Sequence, residues 1–283
     1  MPELPEVETV MKGLQPFLSG AEIIDLEVRS PQLRIPIPAR KLKALMGVPV
    51  VKLERRAKYI LIHFSNEKTM IVHLGMTGSF TVYPPKKHAD ILLDRHDHLV
   101  MTTDKNIKII YRDPRRFGMI DVVDTDKMSS YKPLQILGPE PLDKNFTADI
   151  LKANLSNRKI AIKVAIMDQK VVVGVGNIYA SEALFLAGIS PTTPANEVTD
   201  QKLSLLVDKI KFILKAAIKS GGSTLRDYRN VGGGSGYFQF NFSVYDREGE
   251  ACPACHCSVE NTGGIQRIVQ AGRSTFFCKT CQT

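Results

Sequence analysis

Residues 50–75 read VVKLERRAKYILIHFSNEKTMIVHLG. Three short runs rich in Val, Ile, Leu and Tyr are separated by charged or small turn residues. Apolar runs of this length, broken at this spacing, are strands of an antiparallel sheet rather than helices. The same texture extends from Ala21 to Val123: AEIIDLEV precedes, and SFTVY, HLVMTT, IKIIY and GMIDVV follow. About eight such strands predict an all-β sandwich or barrel.

The flanks differ. Upstream, Val7, Val10, Leu14 and Phe17 recur at helical spacing after Pro5, and Gly20 lies past the end, which predicts a helix. Downstream, residues 125–142 carry Pro133, Gly138, Pro139 and Pro141 and read as a linker. Beyond Asn145 the texture is helical. DILKANL is short and amphipathic, and VGVGNIYASEALFLAG is a glycine turn feeding a helix from about Asn177 to Ala187. In QKLSLLVDKIKFILKAAIKS, residues Leu203, Leu206, Ile210, Ile213 and Ala217 share one helix face. The glycine-dense GGSTLRDYRNVGGGSGYF that follows is a connector or a functional loop.

The 283 residues are 43% hydrophobic and 24% charged, the composition of a soluble globular protein, and the length suggests two domains. No apolar run is long enough to cross a bilayer. MPELPEVETV lacks the basic start and apolar middle of a signal peptide, so a cytoplasmic protein is expected. Lys and Arg outnumber Asp and Glu by 38 to 29, a net charge of +9. That excess favours a polyanionic partner, nucleic acid before an anionic membrane surface; a merely basic enzyme is the plain alternative.

All 5 cysteines fall between Cys252 and Cys281. Cys252 with Cys255, and Cys278 with Cys281, form two CxxC pairs, the pattern of a structural four-thiolate zinc site. Cys257 and His256 sit close by, and Cys257 is read as a spare thiol. Between the pairs, IQRIVQAGRSTFF reads as a β-hairpin turning at Ala271-Gly272, with Arg273 at its tip.

Three further patterns carry chemistry. Removal of Met1 before the small Pro2 would leave a secondary amine, which can attack an electrophilic sugar carbon and become a cationic iminium. Glu3 and Glu6 lie beside it at the positive end of a helix; an ordinary helix start is the bland alternative. Basic residues gather at turns between strands: Arg55, Arg56 and Lys58; His96 and His98; Arg112, Arg115 and Arg116 beside Phe117. Arg beside Phe on a turn suits phosphate contact with base wedging, whereas Phe117 or Met76 alone would be core filling. In GVGNIYASE, glycines before Asn177 free backbone amides to face an anion, with Arg158, Lys159 and Lys163 upstream on a possible phosphate track.

These pieces together resemble the formamidopyrimidine-DNA glycosylase family. The resemblance rests on PELPEVETV (2–10), RRAKYIL (55–61), HLGMTGS (73–79), DPRRFG (113–118), LGPEPL (137–142), VGVGNIYASEALF (173–185) and GRSTFFCKTC (272–281), and it runs the length of the chain. It implies an α+β, two-domain protein: an N-terminal β-sandwich with flanking helices, a C-terminal helix-two-turns-helix element and a zinc ribbon, with DNA in the cleft between the halves. The implied division is a catalytic β-sandwich at 2–133, a helix-two-turns-helix domain at 134–222, and a glycine-rich lesion loop with zinc ribbon at 223–283, the finger itself at about 243–283.

The resemblance also assigns roles. Pro2 would attack C1′ of the damaged nucleotide, Glu3 would protonate the sugar ring oxygen, and Glu6 would support them. Lys58 would serve in β-elimination and Arg273 in δ-elimination. His96, Arg115, Arg158 and Asn177 would contact DNA, and Met76, Arg115 and Phe117 would fill the space of a flipped base. Cys252, Cys255, Cys278 and Cys281 would hold one structural Zn²⁺. The segment Gly221–Gly236 resembles a loop that closes over the extruded base. The expected partner is double-stranded DNA with oxidised bases or abasic sites, bound by a monomer. Two departures stand out: Ile35 where relatives often carry an aromatic, and a longer gap between the CxxC pairs. The rival readings are the sister endonuclease VIII type, which prefers oxidised pyrimidines, and a zinc-ribbon DNA-binding protein without activity. Leu4 and the Met76, Arg115 and Phe117 set resemble the purine branch.

Overall fold

The runs between residues 50 and 75 become a three-strand meander. In the computed structural model, which describes residues 2–223, 231, 234, 236–255 and 258–283, the first unit contains α1 (Leu4–Leu18), β1 (Ile23–Val28), α2 (Ala39–Lys43), β2 (Val50–Arg56), β3 (Tyr59–Phe64), β4 (Lys68–His73), β5 (Ser79–Tyr83), β6 (Asp97–Thr103), β7 (Lys108–Arg112), β8 (Met119–Asp124) and α3 (Lys132–Gln135). The eight strands form two four-stranded antiparallel sheets, in the orders β1-β6-β7-β5 and β2-β3-β4-β8. The segment Ser220–Tyr237 returns to this unit, and its Val231 joins the core.

The core explains why the strands alternate so poorly in sequence. β3 is buried at five of six positions and β6 at all seven, because each is covered on both faces. Helix α1 turns Leu4, Val7, Val10, Leu14 and Leu18 inward and packs across β2 and β3. Pro5 occupies its first turn, where a missing N–H costs nothing. Each such leucine, fully buried, contributes about 1.5–3 kcal/mol.

The second unit spans Ile136–Lys219 and Phe238–Thr283. It contains α4 (Ala148–Leu155), α5 (Ile162–Ile166), α6 (Asn177–Leu186), α7 (Asp200–Lys219), α8 (Val259–Thr262), β9 (Gln266–Gln270) and β10 (Arg273–Phe277). The face of α7 read from sequence is the buried one: Leu203, Leu206, Ile210, Ile213 and Ala217 all point inward. Helix α6 is buried from Tyr179 to Phe185, packing on α7 and on β10, so it carries apolar residues on every side. No helix among the described residues is long and apolar enough to cross a membrane.

Candidate active site and metal centre

The N-terminal end of α1 and the β2–β3 turn each bury groups that rarely lie out of water. Pro2 is buried, and Glu3, Glu6 and Lys58 are 3%, 2% and 5% exposed. Glu6 organises this end. Its Oε2 accepts the Glu3 N–H at 2.8 Å, and its Oε1 accepts the Ser223 N–H at 2.8 Å and the Ser223 hydroxyl at 3.1 Å. A carboxylate in the first turn also meets the positive end of the helix dipole.

Lys58 lies where β2 turns into β3. Ala57 takes φ 53° to make that turn. Arg55 braces it, donating from Nη1 to the Ala57 carbonyl at 3.0 Å and from Nε to Glu8 Oε2 at 2.8 Å, which joins the hairpin to α1. Opposite Tyr59 in the β3–β4 register is His73, its ring 4.9 Å away. Burial, followed by the charges of Lys58 and Arg34, pushes the His73 pKa down to about 4. The imidazole is therefore neutral near pH 7, and its Nδ1 accepts the Gly75 N–H at 3.1 Å.

Three wedge candidates sit on two adjoining turns. Met76 is half-buried, Arg115 is exposed, and Phe117 is 47% exposed with the Arg115 guanidinium 4.8 Å from its ring centre. Beneath them lies Asp113, fully buried and bonded to both turns. The buried Tyr111 phenol beside it is pushed far up by burial and by Asp113. His96, half-buried, precedes β6; its Nε2 lies 3.2 Å from Arg95 Nε.

In the second unit the phosphate-track expectation needs one correction. Lys163 is not a surface cation: it is 1% exposed, and its ammonium donates to Asn177 Oδ1 at 2.6 Å, Thr275 Oγ1 at 2.7 Å and the Ser274 carbonyl at 3.2 Å. A buried ammonium is tolerable only when its donors are satisfied, and here neutral oxygens do so. Asn177 is drawn into the same hub, donating to the Ser274 carbonyl at 2.9 Å and the Tyr245 hydroxyl at 3.3 Å. Arg158 pairs with Asp168 at 2.7 Å and donates to the Asn154 carbonyl at 3.1 Å, keeping its guanidinium half-buried.

The hub leads into the β9–β10 hairpin. Its turn is Ala271 (φ 47°) and Gly272 (φ 72°), the paired left-handed residues that a two-residue hairpin needs. Arg273 follows, exposed, and its guanidinium makes no ion pair among the described residues. Glu182 on α6 anchors the approach to the hairpin: its buried carboxylate accepts the N–H groups of Ser243, Val244 and Tyr245 at 2.9, 3.0 and 2.8 Å. Burial holds its pKa above the usual range in spite of those three donors.

Cys252, Cys255, Cys278 and Cys281 bring their sulfurs within 4.8 Å of one another. The Cys252–Cys281 and Cys255–Cys278 sulfurs are 3.6 and 3.7 Å apart, too far for disulfides. Four sulfurs about 2.3 Å from one ion at tetrahedral angles would be about 3.8 Å apart. The quartet therefore fits one structural Zn²⁺ with no open position, and the Ala254 N–H, 3.4 Å from the Cys252 sulfur, suits a thiolate there. Cys257 and His256 lie outside the described residues, as do residues 224–230, 232, 233 and 235 of the glycine-rich segment.

Sequence reasoning passed over His73, Thr77, Asp113, Glu182 and Tyr245. All lie within or beside the recognised motifs or the glycine-rich segment, but their partners are far away in sequence. The position of the first two inside HLGMTGS, of Asp113 at the head of DPRRFG and of Glu182 inside VGVGNIYASEALF was the signal that pointed to them.

Comparison with known proteins bears directly on this arrangement. The chain matches the family model for the formamidopyrimidine-DNA glycosylase N-terminal domain over residues 1–120, that for the H2TH domain over 137–229, and that for the zinc finger found in FPG and IleRS over 265–283. It is 49% identical over 278 residues to the formamidopyrimidine-DNA glycosylase of Rhodospirillum rubrum, with 98% of each chain covered. Among solved structures it is similar to Lactococcus lactis Fpg in a complex with abasic-site DNA, at 34% identity and a TM-score of 0.88 over 99% of each chain. A mutant of that Fpg with Fapy-dG containing DNA gives 34% and 0.89 over 100% of each.

Proposed function

Because the chain belongs to the formamidopyrimidine-DNA glycosylase family, we propose that it excises oxidised purines from duplex DNA and then cuts the strand by β,δ-elimination, acting as a monomer in the cytoplasm. The observation that carries this reading is the burial of Pro2, Glu3 and Glu6 at one helix start, with α1 packed on the hairpin that buries Lys58.

In this reading the Pro2 amine attacks C1′ and the bond from C1′ to the base breaks, the base leaving with a proton. Glu3 protonates the sugar ring oxygen, which opens the ring and yields the iminium. That cation acidifies the C2′ proton. Its removal, assisted by Lys58, expels the 3′-phosphate; δ-elimination, assisted by Arg273, expels the 5′-phosphate. Glu6 fixes the geometry through the Glu3 N–H. His96, Arg115, Arg158 and Asn177 contact the DNA. For Asn177 and Arg158 the contact must coexist with their internal bonds. Met76, Arg115 and Phe117 fill the gap left by the flipped base. Zinc supplies no chemistry; its four thiolates hold the hairpin that presents Arg273.

Borohydride trapping tests the reading. Native protein should become joined to duplex carrying 8-oxoguanine opposite C, co-migrating with it on a denaturing gel, and should trap less on thymine glycol opposite A. A variant with one residue added before Pro2 converts the amine to an amide; it should bind DNA yet neither trap nor cleave. Equal trapping by the blocked variant would make another amine the nucleophile. Preference for thymine glycol would favour the endonuclease VIII type.

A further inference from the structure

Asp113 is 0% exposed, and every polar atom it carries is used. Its N–H donates to the His96 carbonyl at 3.0 Å. Its carbonyl accepts from His98 Nε2 at 2.9 Å and from the Arg116 N–H at 3.1 Å. One carboxylate oxygen accepts the Gly118 N–H at 2.7 Å, and the other accepts the Thr77 hydroxyl. That last bond spans 36 residues and joins the two turns. The Thr77 oxygen accepts in its own right, from the Arg115 N–H at 3.1 Å. One hydroxyl therefore bridges the Met76 turn, the Arg115 backbone and the buried carboxylate.

The turns also touch through their backbones. Gly75 takes φ +63°, and a Cβ there would lie 2.4 Å from the Phe117 carbonyl carbon. A Cβ at Gly118 would lie 1.9 Å from the Tyr111 hydroxyl. No side chain could be inserted without forcing the turns apart. Arg116 adds a non-glycine residue at φ 55°, a conformation that persists only where its surroundings impose it.

We propose that Thr77 and Asp113 are positioning residues that lock the Met76 turn and the Arg115–Phe117 turn into one rigid wedge, so that three side chains enter the space of an extruded base as a unit. The proposal rests on the reading of the chain as a base-extruding glycosylase. Extrusion leaves a gap in the stack, and a filler helps most when it is already ordered, because ordering side chains at the moment of insertion subtracts from the gain. An abasic sugar has no base to unstack, so the rigidity of the wedge matters less there.

The test is the ratio of two rates. Thr77→Val keeps the volume and removes the hydroxyl, leaving a carboxylate oxygen and the Arg115 N–H without their partner; Thr77→Ser restores the hydroxyl. Single-turnover excision should be measured on duplex with 8-oxoguanine opposite C, and strand cleavage on duplex with a pre-formed abasic site. A 2-aminopurine beside the lesion reports unstacking as the wedge inserts. Thr77→Val should slow excision and the fluorescence rise together by about tenfold to a hundredfold, the effect of one buried charge-assisted bond. Abasic cleavage and DNA affinity should stay within about twofold. Thr77→Ser should behave like the native enzyme, and Asp113→Asn should show the same split as Thr77→Val. Equal losses on both duplexes, equal losses in the Val and Ser variants, or an unchanged fluorescence step in Thr77→Val would each overturn the proposal. A native enzyme inert on both duplexes would instead overturn the glycosylase reading beneath it.

Discussion

Two hairpins carry the cations proposed for the elimination steps, and they are held in opposite ways. Both turn on an alanine at positive φ, Ala57 at 53° and Ala271 at 47°. Beyond that turn the resemblance stops. β2–β3 lies in a four-stranded sheet with α1 across it, and Lys58 is 5% exposed. β9–β10 is a sheet of two strands, which is marginal alone, and Arg273 is exposed. Its support is a small apolar cluster of Phe185, Val244, Cys252, Ile265, Phe276 and Cys278, the Lys163 hub and four sulfurs. A left-handed alanine thus opens a turn that carries a desolvated amine where a large core stands behind it, and one that leads to a solvated guanidinium where a metal does. The first suits work on a carbon-bound proton away from water. The second offers a planar fork of donors to a phosphate.

The largest expected effect comes from removing the metal support. Cys278→Ser should lower zinc content from one per chain to near zero by elemental mass spectrometry. It should weaken DNA binding about tenfold or more, since structural zinc contributes about 10–16 kcal/mol of folding free energy in small modules. Melting of the sandwich should be unmoved. A sandwich that melts earlier in this variant would break the contrast between the two supports.

Acid should next strike the sheet that carries the other hairpin. His73 titrates near its ordinary value when unfolded and at about 4 when folded. Between those values the unfolded chain binds a proton that the folded chain does not. Stability should therefore be flat above pH of about 6.5 and should fall by up to about 3 kcal/mol as pH drops to about 4. Urea melts across that range should show the slope in the native protein and a shallower one in His73→Asn. An unchanged slope would assign the acid sensitivity to other groups.

The smallest effect tests the one thing the hairpins share. A non-glycine residue in the left-handed region costs about 1–2 kcal/mol, and glycine there gives back about 0.5–1 kcal/mol as lost chain entropy. Ala57→Gly should stabilise the sandwich by about 0.5 kcal/mol. Ala271→Gly should leave sandwich melting untouched and slow zinc loss to a chelator. Destabilisation by Ala57→Gly would mean that the alanine methyl group packs productively in that turn.

What was legible in the sequence follows from range. The strand runs, the inward face of α7, the Ala271-Gly272 turn and the cysteine quartet are local patterns, and the structure forms each of them. Lys163 resembles its basic neighbours because nothing nearby in sequence says that Ser274 and Thr275 will arrive to accept its hydrogen bonds. Asn177, expected to contact DNA, and Glu182, to which the sequence assigns no role, likewise have partners between Ser243 and Ser274. Thr77 and Asp113 sat in motifs already quoted, yet the bond between them has no periodicity to reveal it. The resemblance to a known family supplied what the residues alone could not, a choice between nucleophile and ordinary helix start for Pro2.

One feature of the first unit sets a timetable for the making of the protein. Glu6 is among the first residues to leave a ribosome, and Ser223, which occupies its second oxygen, follows 217 positions later. Val231, whose carbonyl accepts the Val82 N–H and whose side chain fills the same core, emerges later still. At about 5–20 residues per second, the interval between Glu6 and Ser223 is roughly 10–40 seconds. Throughout that time Glu6 is without the Ser223 donors and the core is without Val231. The intervening helices are synthesised during the wait, so the nascent chain completes its first-made end only after most of the second unit already exists.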